Sequence, residues 1–201
     1  MFDRFTDEAT AAIALARETA IASRAGAIDD LHILIACCRV KGSRAARVLL
    51  ACGQDPVEVC ARAEAGAARL ASIDQAEVQP RSDQLPFSEN TGLIVRTSLA
   101  EATRLGQQYI GTEHLLLAML RTLGNAHDVL SRGGLKLLDA SKAAAQVRPD
   151  EARVAAQPVT KLDVDAAIVW LRNSHETCIG LKRLELAQSL QDLIDELENM
   201  R

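Results

Sequence analysis

The chain repeats itself, and that repetition limits what it can fold into more than any single motif does. "FTDEATAAIALARETA" at residues 5–20 returns as "FSENTGLIVRTSLAEA" at 87–102. At a constant spacing of 82, Phe5 meets Phe87, Ala20 meets Ala102, Ile28 meets Ile110 and His32 meets His114. The same spacing pairs Leu34 with Leu116, Ala36 with Ala118, Arg39 with Arg121 and Gly42 with Gly124. After a one-residue deletion, "VLLACG" at 48–53 faces "VLSRGG" at 129–134. A unit of this size cannot bury its own apolar face, so two copies are expected to pack on each other as a pseudo-twofold helical domain.

Local signals make each unit a set of four helices. Residues 6–24 carry Ala12, Ile13, Ala16, Ala20 and Ile21 at helical spacing, with Thr6 as N-cap. A second helix should run from about Asp29 to Val40, stopped by Gly42. Shorter helices follow around 44–52 and 55–71, with Gly53 as a terminal stop and Pro56 in a first turn. Residues 72–86 lose the periodicity and hold two prolines, which reads as a linker between copy one (2–71) and copy two (87–148). A second break at 149–159 separates this 1–148 domain from a helix or helical hairpin over 160–201. There Ile179, Leu186, Leu193 and Met200 recur every seven residues, with Leu190 and Leu197 in the alternate seam. The 179–200 stretch could pack back on the domain or pair with another helix.

Composition agrees with an all-α chain of about eight helices plus that C-terminal segment. Of 201 residues, 48% are hydrophobic but only 2% aromatic, so the core must be aliphatic and alanine-rich. Net charge is −4, without a basic stripe, which argues against a nucleic-acid partner. The opening "MFDRFTDEAT" lacks an apolar signal core, and no apolar run reaches membrane-spanning length. A soluble cytoplasmic protein with no membrane partner is expected. Cys37, Cys38, Cys52, Cys60 and Cys178 are odd in number and lack CxxC spacing. They read as reduced cysteines packed as small hydrophobes.

The densest signal is "YIGTEHLLLAML" at 109–120, together with "MFDRFTDEA" at the start and "LPFSENT" before "SLAEATRLG". On these residues the chain, over about 2–147, resembles the tandem Clp repeat that forms the N-terminal domain of Clp AAA+ unfoldases, most closely the ClpC type. The resemblance implies a substrate- and adaptor-docking module. No GxxxxGK[ST] occurs in the 201 residues, so no phosphate loop is expected among them. "LELAQSLQDLIDEL" at 184–197 also resembles the UvrB/UvrC-type hairpin in the middle region of ClpC.

Candidate site residues cluster at the starts of the second helices. Adjacent helical residues point about 100° apart, so Glu113 and His114 cannot converge on one ligand. No metal site and no cofactor are expected, and no nucleophile motif supports catalysis. His32 and His114 read as packed, hydrogen-bonded histidines, and Thr112, Asp29 and Asp30 as ordinary helix-start residues. Phe5, His32, Phe87 and His114 form the structural motif. The resemblance adds a binding role for Thr112 and Glu113, since in ClpC-type domains that glutamate is implicated in gripping phosphorylated arginine. A helix N-terminus can take phosphate and a carboxylate can take a guanidinium. In copy one the glutamate position holds Leu31 and the Gly-Thr before it is Asp29-Asp30, so that pocket is lost. Two readings follow. One is a non-catalytic protein-binding module in Clp-dependent quality control, docking substrates or adaptors or competing with an unfoldase for them. The other is a sensor that binds phosphoarginine or a small molecule between the two copies.

Overall fold

The computed structural model describes residues 4–73 and 85–147. The expected C-terminal helix, its heptads, the 149–159 break and most of the first linker lie outside the described residues. Eight helices follow in order: α1 (Asp7–Ala22), α2 (Asp30–Arg39), α3 (Arg44–Ala51), α4 (Pro56–Ile73), α5 (Glu89–Arg104), α6 (Thr112–Arg121), α7 (Asn125–Arg132) and α8 (Leu137–Gln146). Among the described residues there is no strand. α4 runs two residues into the expected linker, because nothing before Pro80 breaks a helix. At the far end of that linker Leu85 is buried, so the second copy is anchored before Phe87.

The helix starts follow the expected chemistry. Thr6 Oγ1 accepts from Ala9 N at 3.2 Å, and its counterpart Ser88 Oγ accepts from Thr91 N at the same distance. These caps satisfy N–H groups that a helix leaves unpaired in its first turn. α1 buries Ala9, Ala12, Ala16 and Ala20, whereas Ile13 is half-buried and Ile21 is exposed. The expected periodicity holds, but the buried stripe is made of alanine alone. Small side chains let α1 lie close on α2, and the bulkier isoleucines fall to the sides.

α2 and α6 form the centre. Every residue of α2 from Asp30 to Cys37, and every residue of α6 from Thr112 to Leu120, is buried. Helices that are apolar all round belong inside a core, and "LHILIAC" and "HLLLAML" are such runs. α1 and α4 pack on α2, as α5 and α8 pack on α6, while the third helices cross over. α3 packs on α6 and α8 of the other half, and α7 on α2 and α4.

Reciprocal backbone bridges establish the near-twofold relation. Phe5 pairs with Ile110 and Ile28 with Phe87, which are the same two positions exchanged between copies. Thr6 N donates to Ile110 O at 2.9 Å, and Ser88 N donates to Ile28 O at 2.9 Å. An isologous contact has this property, in which each partner offers the other the same surface.

Candidate functional site

The polar groups that the sequence singles out converge on the seam where third helices cross between halves. Thr112, first residue of α6, points at the start of α3. Its Oγ1 accepts from Ala45 N at 3.1 Å and lies 3.2 Å from the Ser43 hydroxyl. Asp30, first residue of α2, does the same for α7. Its Oδ2 accepts from Ala126 N at 3.1 Å and from Asn90 Nδ2 at 2.8 Å. The second helix of each half therefore caps the third helix of the other. The two caps differ because α3 has its own side-chain N-cap in Ser43, whereas the N-cap of α7 is Gly124, which has no side chain. A Cβ on Gly124 would meet Asp30 Oδ2 at 2.5 Å, so the absent side chain is what admits the aspartate.

Glu113 lies fully inside the protein. Its Oε1 accepts from Arg44 Nη1 at 2.8 Å, and both side chains are almost completely buried. A buried pair of this kind repays the desolvation of two charges only when geometry is good. The carboxylate also fills the space beside Gly111, where a Cβ would come within 2.1 Å of Oε2. Neither member has a charged counterpart in the other copy, where Leu31 stands for Glu113 and Asn125 for Arg44. Leu31 and Asn125 are thus the positions that correspond, across the near-twofold, to the two members of this one pair.

The two histidines serve as local caps. His32 Nδ1 accepts from Asp29 N at 3.1 Å, and His114 Nδ1 accepts from Gly111 N at 2.9 Å. An Nδ1 that accepts carries no proton, so neutral His114 holds its hydrogen on Nε2. His114 Nδ1 stands 3.7 Å from Glu113 Oε1, but with Nδ1 bare this is no ion pair. Burial pulls the His114 pKa below its ordinary 6.5, and Arg44 lowers it further, against opposing pulls from Glu113 and Glu101. Asp30 moves the other way, raised above 3.8 chiefly by burial and further by Asp29, while its bonds to Ala126 and Asn90 oppose the rise. His114 Nε2 and Glu113 Oε2 are the buried side-chain atoms without a hydrogen-bond partner among the described residues.

The structure thus brings Thr112, Glu113 and His114 to one seam and places His32 at the matching turn of the other half. Phe5 and Phe87 sit at its two backbone bridges. Glu113 Oε1 is already taken by Arg44, so a ligand guanidinium at that oxygen would have to displace it. Sequence reasoning missed Arg44, Ser43, Asn90 and the cross-half role of Asp30. One signal was available: Glu113 and Arg44 are each charged in a single copy, and in different copies, as partners across a twofold axis would be. Among the described residues no cluster of His, Cys, Asp and Glu could hold a metal ion. No helix there is long and apolar enough to cross a membrane.

Comparison with known proteins agrees with this geometry. Residues 4–155 match the family described as the Clp repeat (R) N-terminal domain. The chain belongs to the Clp repeat N-terminal domain family. It is 32% identical over 138 residues to the negative regulator of genetic competence ClpC/MecB of Bacillus subtilis (strain 168). It is 30% identical over the same length to the chaperone protein ClpB of Oceanobacillus iheyensis. Each alignment takes in 68% of this chain but only 16% of the relative's own length. The N-terminal domain of the chaperone ClpD from Arabidopsis thaliana superposes with a TM-score of 0.51 at 22% identity, covering 73% of this chain and 98% of that one. The Hsp104 N-terminal domain from Candida albicans gives 0.59 at 18% identity, covering 76% and 97%. At such identities these structures speak for the Clp repeat fold alone.

Proposed function

We propose that this Clp repeat domain is a non-catalytic protein-binding module in Clp-dependent protein quality control. It docks substrates or adaptors, or competes with a Clp unfoldase for them. The observation that carries the reading is the family match across both halves, shared with proteins named as Clp chaperones and as a ClpC-type regulator. The seam supports it from the chemical side. Asp30, Arg44, Thr112 and Glu113 are buried and engaged in contacts between the halves, and the two central histidines are buried as caps of their own helices. Recognition then falls to the outer surface, where Leu50, Val57, Leu123 and Leu138 are more than half exposed. Val57 and Leu138 occupy equivalent positions in the two copies, so the twofold presents one apolar position twice.

Immobilised protein should retain a purified ClpC-type unfoldase, its adaptor or an unfolded model client, and should show no hydrolase turnover. Failure to bind any of the three would sink the reading. The second reading, capture of phosphoarginine at Thr112 and Glu113, draws on a carboxylate that demonstrably suits a guanidinium, because Arg44 already supplies one. Under that reading Glu113→Ala abolishes binding of arginine-phosphorylated protein. Binding that is absent, or unchanged in the variant, removes it.

A further inference from the structure

α2 and α4 pack closely and in opposite directions, and their register is fixed at both ends. Near the start of α2, Leu31 Cδ1 lies where a Cβ on Gly66 would stand 3.0 Å away, so the missing side chain lets the helices approach. Near its end, Arg39 donates to Glu64 Oε1 at 2.5 Å. Cys60, one turn before Glu64, donates its thiol to that same oxygen at 3.1 Å. Cys38 lies seven residues after Leu31, two turns along the same face of α2. Seven residues back from Gly66 on α4 is Val59, next to Cys60. The register thus sets Cys38 opposite Val59, with Cys60 the next residue on α4, so the two cysteines are near neighbours beside the Arg39–Glu64 pair. The electrostatics of Cys38 agree with this. Burial first, then the Cys60 and Glu64 charges, push Cys38 up to about 12.

We propose that Cys38 and Cys60 are a disulfide-forming pair that ties the end of α2 to the start of α4 under oxidising conditions. Close-packed helices have axes about 8–10 Å apart and Cα radii of about 2.3 Å, so facing Cα atoms come within roughly 3.5–5.5 Å, which overlaps the range a disulfide spans. The oxidant is a low-molecular-weight disulfide, RSSR. Cys38, half-buried and the more accessible of the two, attacks as thiolate, breaking the RS–SR bond and releasing one RSH after proton uptake. Cys60 then attacks Cys38 Sγ in the mixed disulfide, forming the Cys38–Cys60 bond and releasing the second RSH. Two thiols are oxidised by two electrons, and one RSSR is reduced to two RSH. Both thiols are held protonated, so exchange is slow in either direction near neutral pH. The pair is a durable cross-link and not a rapid switch. Cys37 is fully buried on the other side of α2 and takes no part.

Incubating the full chain with oxidised glutathione at about pH 8.5 favours thiolate formation and tests the pair. The expected product has lost about 2 Da, remains monomeric on a non-reducing gel and yields a tryptic peptide joining Cys38 to Cys60. Closing this loop should raise Tm by roughly 5–10 °C, reversed by strong reductant. Cys38→Ser, at a half-exposed position, should fold normally and show neither change, and Cys60→Ser should match it. A persistent glutathione adduct on Cys38 with no internal bond would overturn the proposal. So would bonding of either thiol to Cys37 or Cys52, or the same Tm rise in Cys38→Ser.

Discussion

Among the described residues Glu113 and Arg44 form their ion pair only with each other, so each is exposed to the loss of the other. Glu113→Ala should cost about 3–5 kcal/mol, because it strands a guanidinium in the interior. Arg44→Met combined with Glu113→Leu, which copies the leucine of the first half, should recover most of that loss. Denaturant unfolding of the two single variants and the double variant measures the coupling. Purely additive losses would show that the pair does not act as a unit. His114 sets a pH dependence of known sign. The unfolded chain takes a proton near 6.5, whereas the folded chain resists until lower pH. The histidine's contribution is therefore complete above 6.5 and is lost as pH falls through the lowered folded value. Asp30 works in reverse: its carboxyl is raised, so its contribution is complete below 3.8 and fades as pH rises through the raised value. In His114→Gln the Nε2 titration is gone while glutamine still suits the third position of a capped helix. Midpoints measured from neutral pH downward should then fall less steeply than in the parent protein.

At the scale of the helices, the second copy shows what the first has given up. α5 ends into Gly106 at φ 70°, and the equivalent residue after α1 is Arg24 at φ 56°. A left-handed turn costs an arginine roughly 1 kcal/mol that glycine avoids, partly offset by glycine's greater freedom when unfolded. Arg24→Gly should raise stability by up to about 1 kcal/mol, read as a higher urea midpoint at unchanged slope. The same comparison explains what was legible. Helix starts could be read because Thr6 and Asp29 announce themselves, and the stops at Gly42 and Gly53 did likewise. The buried face of α1 was harder to read, since an alanine stripe beside Ile13 and Ile21 carries almost no hydrophobic contrast. α4 outran its expected end because "ASI" is neutral to helix formation, and only the later prolines mark a break. The cross-half contacts were illegible for a different reason. Partners such as Ser43 and Thr112, or Asp30 and Ala126, stand far apart in sequence, and only the folded seam joins them.

For the molecule as a whole, the duplication at spacing 82 carried most of the information, because a repeated four-helix unit has few ways to cover its apolar side. The crossing of third helices goes further than simple pairing. Each half is incomplete in its backbone bridges and helix caps, as well as in buried area, until the other half supplies them. Residues 1–84 and 85–148 expressed separately should each show little helix by circular dichroism, and mixing them should restore it. If either segment alone were fully helical and cooperative in unfolding, the halves would be independent and the seam incidental.

That mutual incompleteness bears on how such a domain can change over generations. A new side chain at the mouth of α2 or α6 is judged by a helix belonging to its twin, so the copies are free to diverge but must do so in step. Leu31 against Glu113, and Asn125 against Arg44, are where the two copies of this seam differ most in charge. A hybrid that joins the first half of this protein to the second half of a relative would bring together locks and keys cut for different doors.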